Sequence, residues 1–128
     1  LVVTELDLQK FTVSLLRFNS ADRVIWFAVP NGESRSARTG AKLKAMGVRP
    51  GVADMVIVLP RGVACFLELK AAGGRLSDRQ KVFRTFCELN GAPYAVAASP
   101  EEVERILREW GAIGRVEPAR PVAMAVAA

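Results

Sequence analysis

Apolar residues recur along this chain in two rhythms. Leu8, Phe11, Leu15 and Phe18 stand three or four apart behind Thr4-Glu5-Leu6-Asp7. That spacing predicts a helix to about residue 18, with Thr4 as N-cap, acids in its first turn and those four side chains as its buried stripe. Residues 23–29 (RVIWFAV) are apolar on both faces and predict a first strand in the middle of a sheet, ended by Pro30-Asn31-Gly32. Ala37 to Met46 forms a short helix weakened by Gly40. Residues 55–59 (MVIVL) and 63–69 (VACFLEL) are short apolar runs joined by Pro60-Arg61-Gly62, which reads as a β-hairpin with Gly62 in the left-handed position. Ser77 and Gln80 form a capping box for a helix whose expected buried stripe is Val82, Phe83, Phe86 and Leu89. Asn90-Gly91 stops it. Residues 94–98 are a fourth strand, and Ser99-Pro100 caps a last helix to about Trp110, with Val103, Ile106, Leu107 and Trp110 inward.

The order is helix, three strands, helix, strand, helix. A helix between the third and fourth strands implies a crossover between parallel neighbours, whereas the hairpin is antiparallel. The expected fold is α/β, a mixed sheet flanked by helices on both faces. Residues 1–114 make one domain. The tail, 115–128, is rich in Ala, Pro and Val without helix or strand period and is expected to be loose.

The hairpin fixes a register. If Leu59 faces Val63, then Asp54 faces Glu68, with their Cβ atoms about 4.5–5.5 Å apart. Lys70 lies on the same face, about 7 Å along the strand. Their neighbours Val56, Val58, Ala64 and Phe66 are apolar. Two carboxylates facing each other at the end of an apolar hairpin repel, and one of them should have a raised pKa. A salt bridge from Lys70 to one acid leaves the other unexplained. A divalent cation would reverse the charge balance, and oxygen ligands suit Mg²⁺ or Mn²⁺.

Composition narrows the chemistry. The chain has 128 residues, 51% of them hydrophobic, enough for one core. It has no His, which excludes Ser-His and Cys-His catalysis, and only two cysteines, Cys65 and Cys87, both at apolar positions that suit a core better than a zinc site. No apolar run approaches the ~20 residues that span a membrane. Glu5 and Asp7 come too early for a signal peptide, so a cytoplasmic protein is the simplest expectation. Lys and Arg outnumber Asp and Glu 18 to 13, a balance that attracts polyanions. Between Glu33 and Pro50 stand Arg35, Arg38, Lys42, Lys44 and Arg49 with a single acid. That segment is either a solvated basic face or a phosphate-contacting arm.

Asp54 with Glu68-Leu69-Lys70 resembles the PD-(D/E)XK nuclease motif on its αβββαβ, restriction-endonuclease-like core. The closer resemblance is to the VRR-NUC domain, the virus-type replication and repair nuclease. It is carried by Glu5 with Gln9, Pro30-Asn31-Gly32, the run Gly47-Val48-Arg49-Pro50-Gly51-Val52-Ala53-Asp54, Glu68-Leu69-Lys70, and Gly74-Arg75-Leu76-Ser77 leading to Gln80. Ala53 stands where the motif name has Pro, and it supplies no side-chain chemistry. The resemblance implies a Mg²⁺-dependent deoxyribonuclease, with Mn²⁺ as a substitute and catalytic residues Asp54, Glu68, Lys70 and Gln80. The implied metal ligands are Asp54, Glu68, Glu5 and the Leu69 carbonyl. From the pattern alone Glu5 could serve only the helix dipole, and Gln80 only the cap. The expected nucleic-acid contacts are Asn31, Arg35, Arg38, Lys42, Lys44 and Arg49, helped by Arg75 and Arg79. The resemblance further implies branched DNA such as four-way junctions as substrate, a homodimer, and a bacterial or viral origin. Two other readings stay open: a catalytically silent nucleic-acid-binding module of the same fold, and a small protein-interaction domain with a structural ion pair.

Overall fold

The computed structural model describes residues 2–30 and 37–114. In chain order the elements are α1 (Glu5–Asn19), β1 (Ile25–Ala28), α2 (Ala37–Ala45), β2 (Met55–Leu59), β3 (Val63–Leu69), α3 (Asp78–Leu89), β4 (Tyr94–Ala97) and α4 (Pro100–Trp110). The four strands form one sheet in the order β1-β2-β3-β4. Antiparallel pairing joins β1 to β2 and β2 to β3, and β3 runs parallel to β4. The mixed α/β architecture is therefore the expected one. The basic residue Arg35, the motif residue Asn31 and the tail 115–128 lie outside the described residues.

Local chemistry accounts for the helix starts. Thr4 accepts a hydrogen bond from the Asp7 N–H, and the Asp7 carboxylate accepts one from the Thr4 N–H, so two orphan donors are satisfied together. Ser77 and Gln80 make the same reciprocal pair at α3, and Ser99 caps α4. Gly111, in the left-handed conformation with φ 75°, ends α4.

The main core lies on one face of the sheet. Met55, Ile57, Cys65, Leu67, Leu69 and Ala97 point to it, as period-2 alternation requires, and meet Leu8 and Leu16 of α1 and Val103, Ile106 and Leu107 of α4. Each fully buried Leu or Ile contributes about 1.5–3 kcal/mol of apolar transfer. The opposite face carries Phe66 and Tyr94 under α3, with the Phe83 ring edge-on to both at 5.2 and 6.1 Å. Both cysteines are core thiols. Burial pushes Cys65 up to about 11 and raises Cys87, so neither offers a thiolate.

Four expectations need correction. The strand at 23–29 is an edge strand, not a central one: among the described residues β1 pairs with β2 alone, which leaves Ile25 and Phe27 65% and 48% exposed. It also starts later than predicted, because Arg23 has a φ of 63° that no strand accommodates. In α1 the buried line is Leu8, Thr12 and Leu16, while Phe18 is 79% exposed. Thr12 is tolerated there because its hydroxyl donates to the Leu8 carbonyl at 2.7 Å. In α3 the inward residues are Phe83 and Cys87, and Val82, Phe86 and Leu89 face out. Finally, the hairpin turn puts both Arg61 and Gly62 at positive φ, 71° and 74°, not Gly62 alone. No helix among the described residues is long and apolar enough to cross a membrane.

Candidate active site

The hairpin register is the predicted one. Leu59 pairs with Val63 and Met55 with Leu67, so the next residues outward, Asp54 and Glu68, oppose each other at the open end of β2 and β3. Asp54 ends an irregular segment whose approach to α3 depends on a glycine. Gly51 has φ +85°, and a Cβ there would lie 2.7 Å from the Arg79 backbone carbonyl carbon and oxygen. Only glycine permits this contact. It brings the 49–54 segment against the first turn of α3, where Arg79 and Gln80 reside.

A cleft of about 670 Å³ opens at this point. Glu5 from α1, Lys44 from α2, Arg49 from the following loop, Asp54, Glu68 and Lys70 from the hairpin, and Arg79 and Gln80 from α3 all line it. Residues spread over more than seventy positions thus converge. Arg38, Lys42 and Arg75 are exposed but do not line the cleft.

Each acid is held differently. Asp54 is anchored by the backbone: its Oδ2 accepts from the Leu69 N–H at 2.8 Å. Glu68 is 2% exposed. Its Oε1 accepts from Gln80 Nε2 at 3.0 Å and lies 3.9 Å from Lys70 Nζ, itself 14% exposed. Its Oε2 is buried with no hydrogen-bond partner among the described residues. Burial, then the Asp54 charge, push the Glu68 carboxyl up to about 8; the Glu5 charge adds to the rise, and Lys70 opposes it. An ionised Glu68 with an orphan oxygen is expensive. A cation between the two carboxylates would remove that cost.

Gln80 makes two contacts at once. Its Oε1 accepts from the Ser77 N–H at 2.8 Å while its Nε2 holds Glu68. The cap of α3 and the orientation of the buried acid are one side chain. The Leu69 N–H was missed, since its role in holding Asp54 needs the side chain to turn across the strand pair. Tyr94 was missed as well. Its hydroxyl is buried without a partner among the described residues, and burial and the Glu68 charge raise its pKa well above the ordinary value. Its parallel pairing with Phe66 puts it on the Glu68 face of the sheet, a signal that depends on knowing the β3–β4 register.

The donor set fits a hard divalent cation of low protein coordination. Among the described residues, no three acid, Cys or His side chains group closely enough to cage a metal. Mg²⁺ commonly needs no such cage, resting on one or two carboxylates and completing its shell with water and substrate phosphate.

The family model of the VRR-NUC domain matches residues 15–101. The chain belongs to the VRR-NUC family. A solved structure of a VRR-NUC domain superposes with a TM-score of 0.57 at 20% identity, covering 84% of this chain and 98% of the other. At that identity the likeness speaks for the fold alone; the VRR-NUC family, which the family model shows, has a nuclease-type fold of the PD-(D/E)XK superfamily. No curated protein matches the chain as a relative. Within the VRR-NUC match fall Asp54, Glu68, Lys70 and Gln80; Glu5 precedes it.

Proposed function

We propose that this VRR-NUC domain is a metal-dependent DNA endonuclease that hydrolyses phosphodiester bonds, with branched DNA such as four-way junctions as its preferred substrate and a homodimer as its working form. The observation that carries the catalytic reading is Glu68: a buried acid, opposite Asp54, with one oxygen held by Gln80 and the other unpartnered.

Asp54 and Glu68 would hold Mg²⁺ or Mn²⁺, with the Leu69 carbonyl and Glu5 as further oxygens. Such a cation supplies a Lewis acid for the scissile phosphate and lowers the pKa of water. The remaining work belongs to the chain. The Leu69 N–H and Gln80 keep the two carboxylates aimed into the cleft. Lys70, 3.9 Å from Glu68, orients the attacking water or stabilises negative charge developing on the phosphate. Lys44, Arg49 and Arg79 line the same cleft and draw the phosphate backbone toward it.

The test is a cleavage panel of single-stranded, duplex, flap and four-way-junction DNA with Mg²⁺, Mn²⁺ or EDTA. Wild type should cut in Mg²⁺ and be silent in EDTA, with the junction cut fastest. Asp54→Asn, Glu68→Gln and Lys70→Ala should each abolish cleavage while remaining folded. An Asp54→Asn protein that cuts at the wild-type rate overturns the assignment. DNA binding without cleavage in any metal would make the domain a catalytically silent module.

A further inference from the structure

The helix that carries Gln80 has a second apolar stripe. Val82, Phe86 and Leu89 stand four and three residues apart, one line along α3, and are 48%, 51% and 76% exposed. The core cannot use them, because Phe83 and Cys87 already take the sheet side. Phe86 is nevertheless not left to solvent alone. The Arg49 guanidinium lies over its ring, 5.7 Å from the centroid. The same Arg49 lines the acid-bearing cleft, so the stacked pair is continuous with the candidate active site.

We propose that Phe86 and Arg49 form a stacking platform for an unpaired nucleobase of the DNA substrate. The inference rests on the nuclease reading for the substrate's identity and adds a means of selecting branched over paired DNA. Three observations favour a base over a protein surface or a second copy. The platform is cationic as well as aromatic, which suits a π-face joined to a phosphate chain. Its basic neighbours Arg79 and Lys44 border the cleft where that chain would run. Its position also fits: Phe86 is six residues beyond Gln80, about 9 Å along the helix at 1.5 Å per residue. That offset is short enough for a strand whose phosphates run past Arg49 and Arg79 in the cleft to bring a neighbouring base to Phe86. A base within a continuous duplex is stacked on both faces and cannot reach the platform. A base at a flap or branch point can.

The experiment uses the full chain carrying Glu68→Gln, in EDTA, so that neither cleavage nor metal contributes. Binding is measured by fluorescence anisotropy to a duplex, and to the same duplex bearing a short unpaired flap with 2-aminopurine beside the branch. Adding Phe86→Ala should weaken flap binding by about 5- to 150-fold, the span of one base–aromatic stack, and leave duplex binding unchanged. Because stacking releases no counterions, the salt slope should stay the same. Phe86→Trp should restore flap affinity and quench 2-aminopurine. A flap affinity that Phe86→Ala leaves unchanged, or flap and duplex affinities that fall by the same factor, overturns the platform. So does sedimentation showing that Phe86→Ala merely converts a dimer to a monomer. Failure here with wild-type cleavage intact removes the platform only. Flap-selective loss in a protein whose wild type never cuts removes the catalytic reading only.

Discussion

Replacing Glu68 by glutamine should make the metal-free protein more stable in alkaline buffer, by an amount that the structure sets. Burial and the Asp54 charge keep the Glu68 carboxyl protonated to about 8, against 4.5 for an unburied glutamate. The unfolded chain releases that proton at the ordinary value. Below 4.5 both states hold the proton and the site costs nothing. Between 4.5 and about 8 the folded state alone holds it, and stability falls as pH rises. Above that window both states are ionised and the loss is complete. At about 1.4 kcal/mol per pH unit, the window amounts to a loss on the order of 5 kcal/mol if Glu68 titrates alone. For a domain of this size the corresponding fall in Tm is on the order of 10–20 °C. Glutamine keeps an oxygen for Gln80 Nε2 and carries no charge, so Glu68→Gln should show a nearly flat profile over the same window. Thermal unfolding followed by circular dichroism in EDTA, at about pH 5 and about pH 8.5, measures this against the ordinary reference values. Mg²⁺ at a hundred times its Kd should then return about 2.7 kcal/mol to wild type at the higher pH and nothing to the variant. Parallel pH profiles for the two proteins would refute the reasoning, because they would mean that Glu68 ionises as easily folded as unfolded.

Other outcomes follow from the same geometry. Gln80→Ala should lose about 0.5–2 kcal/mol from the cap together with most cleavage. Gln80→Glu should retain the Ser77 bond and the helix but lose cleavage, since it sets a third acid against Glu68; paired melting and rate measurements separate the two roles. Lys44→Ala with Arg49→Ala should make the slope of log K against log salt shallower by roughly two on duplex DNA, measured in Ca²⁺; an unchanged slope would place the DNA path elsewhere. Gly51→Ala should destabilise the domain by on the order of 1–3 kcal/mol, through positive φ and collision with the Arg79 backbone. Denaturant melts check this, and an unchanged midpoint would show that the segment before Asp54 is not seated on α3.

What could be read from the amino-acid sequence was whatever local geometry decides. A short turn at 60–62 sets the hairpin register, and the register alone opposes Asp54 to Glu68. Capping boxes involve residues three apart, so the start of α3 was legible at Ser77. The apolar line of α4 was legible because it has a single strong stripe, with Val103, Ile106 and Leu107 buried. Tertiary structure decided the rest. Helix α3 carries two apolar lines, and periodicity cannot say which one faces inward; the Phe66 and Tyr94 rings choose Phe83. Strand β1 is apolar on both faces, yet its place at the edge depends on strand order, a long-range pairing that no local pattern encodes. The cleft itself is of this kind. Glu5, Lys44, Asp54, Glu68 and Gln80 belong to five separate segments, and only the packing of α1, α2 and α3 around the open end of the hairpin puts their charges within reach of one another.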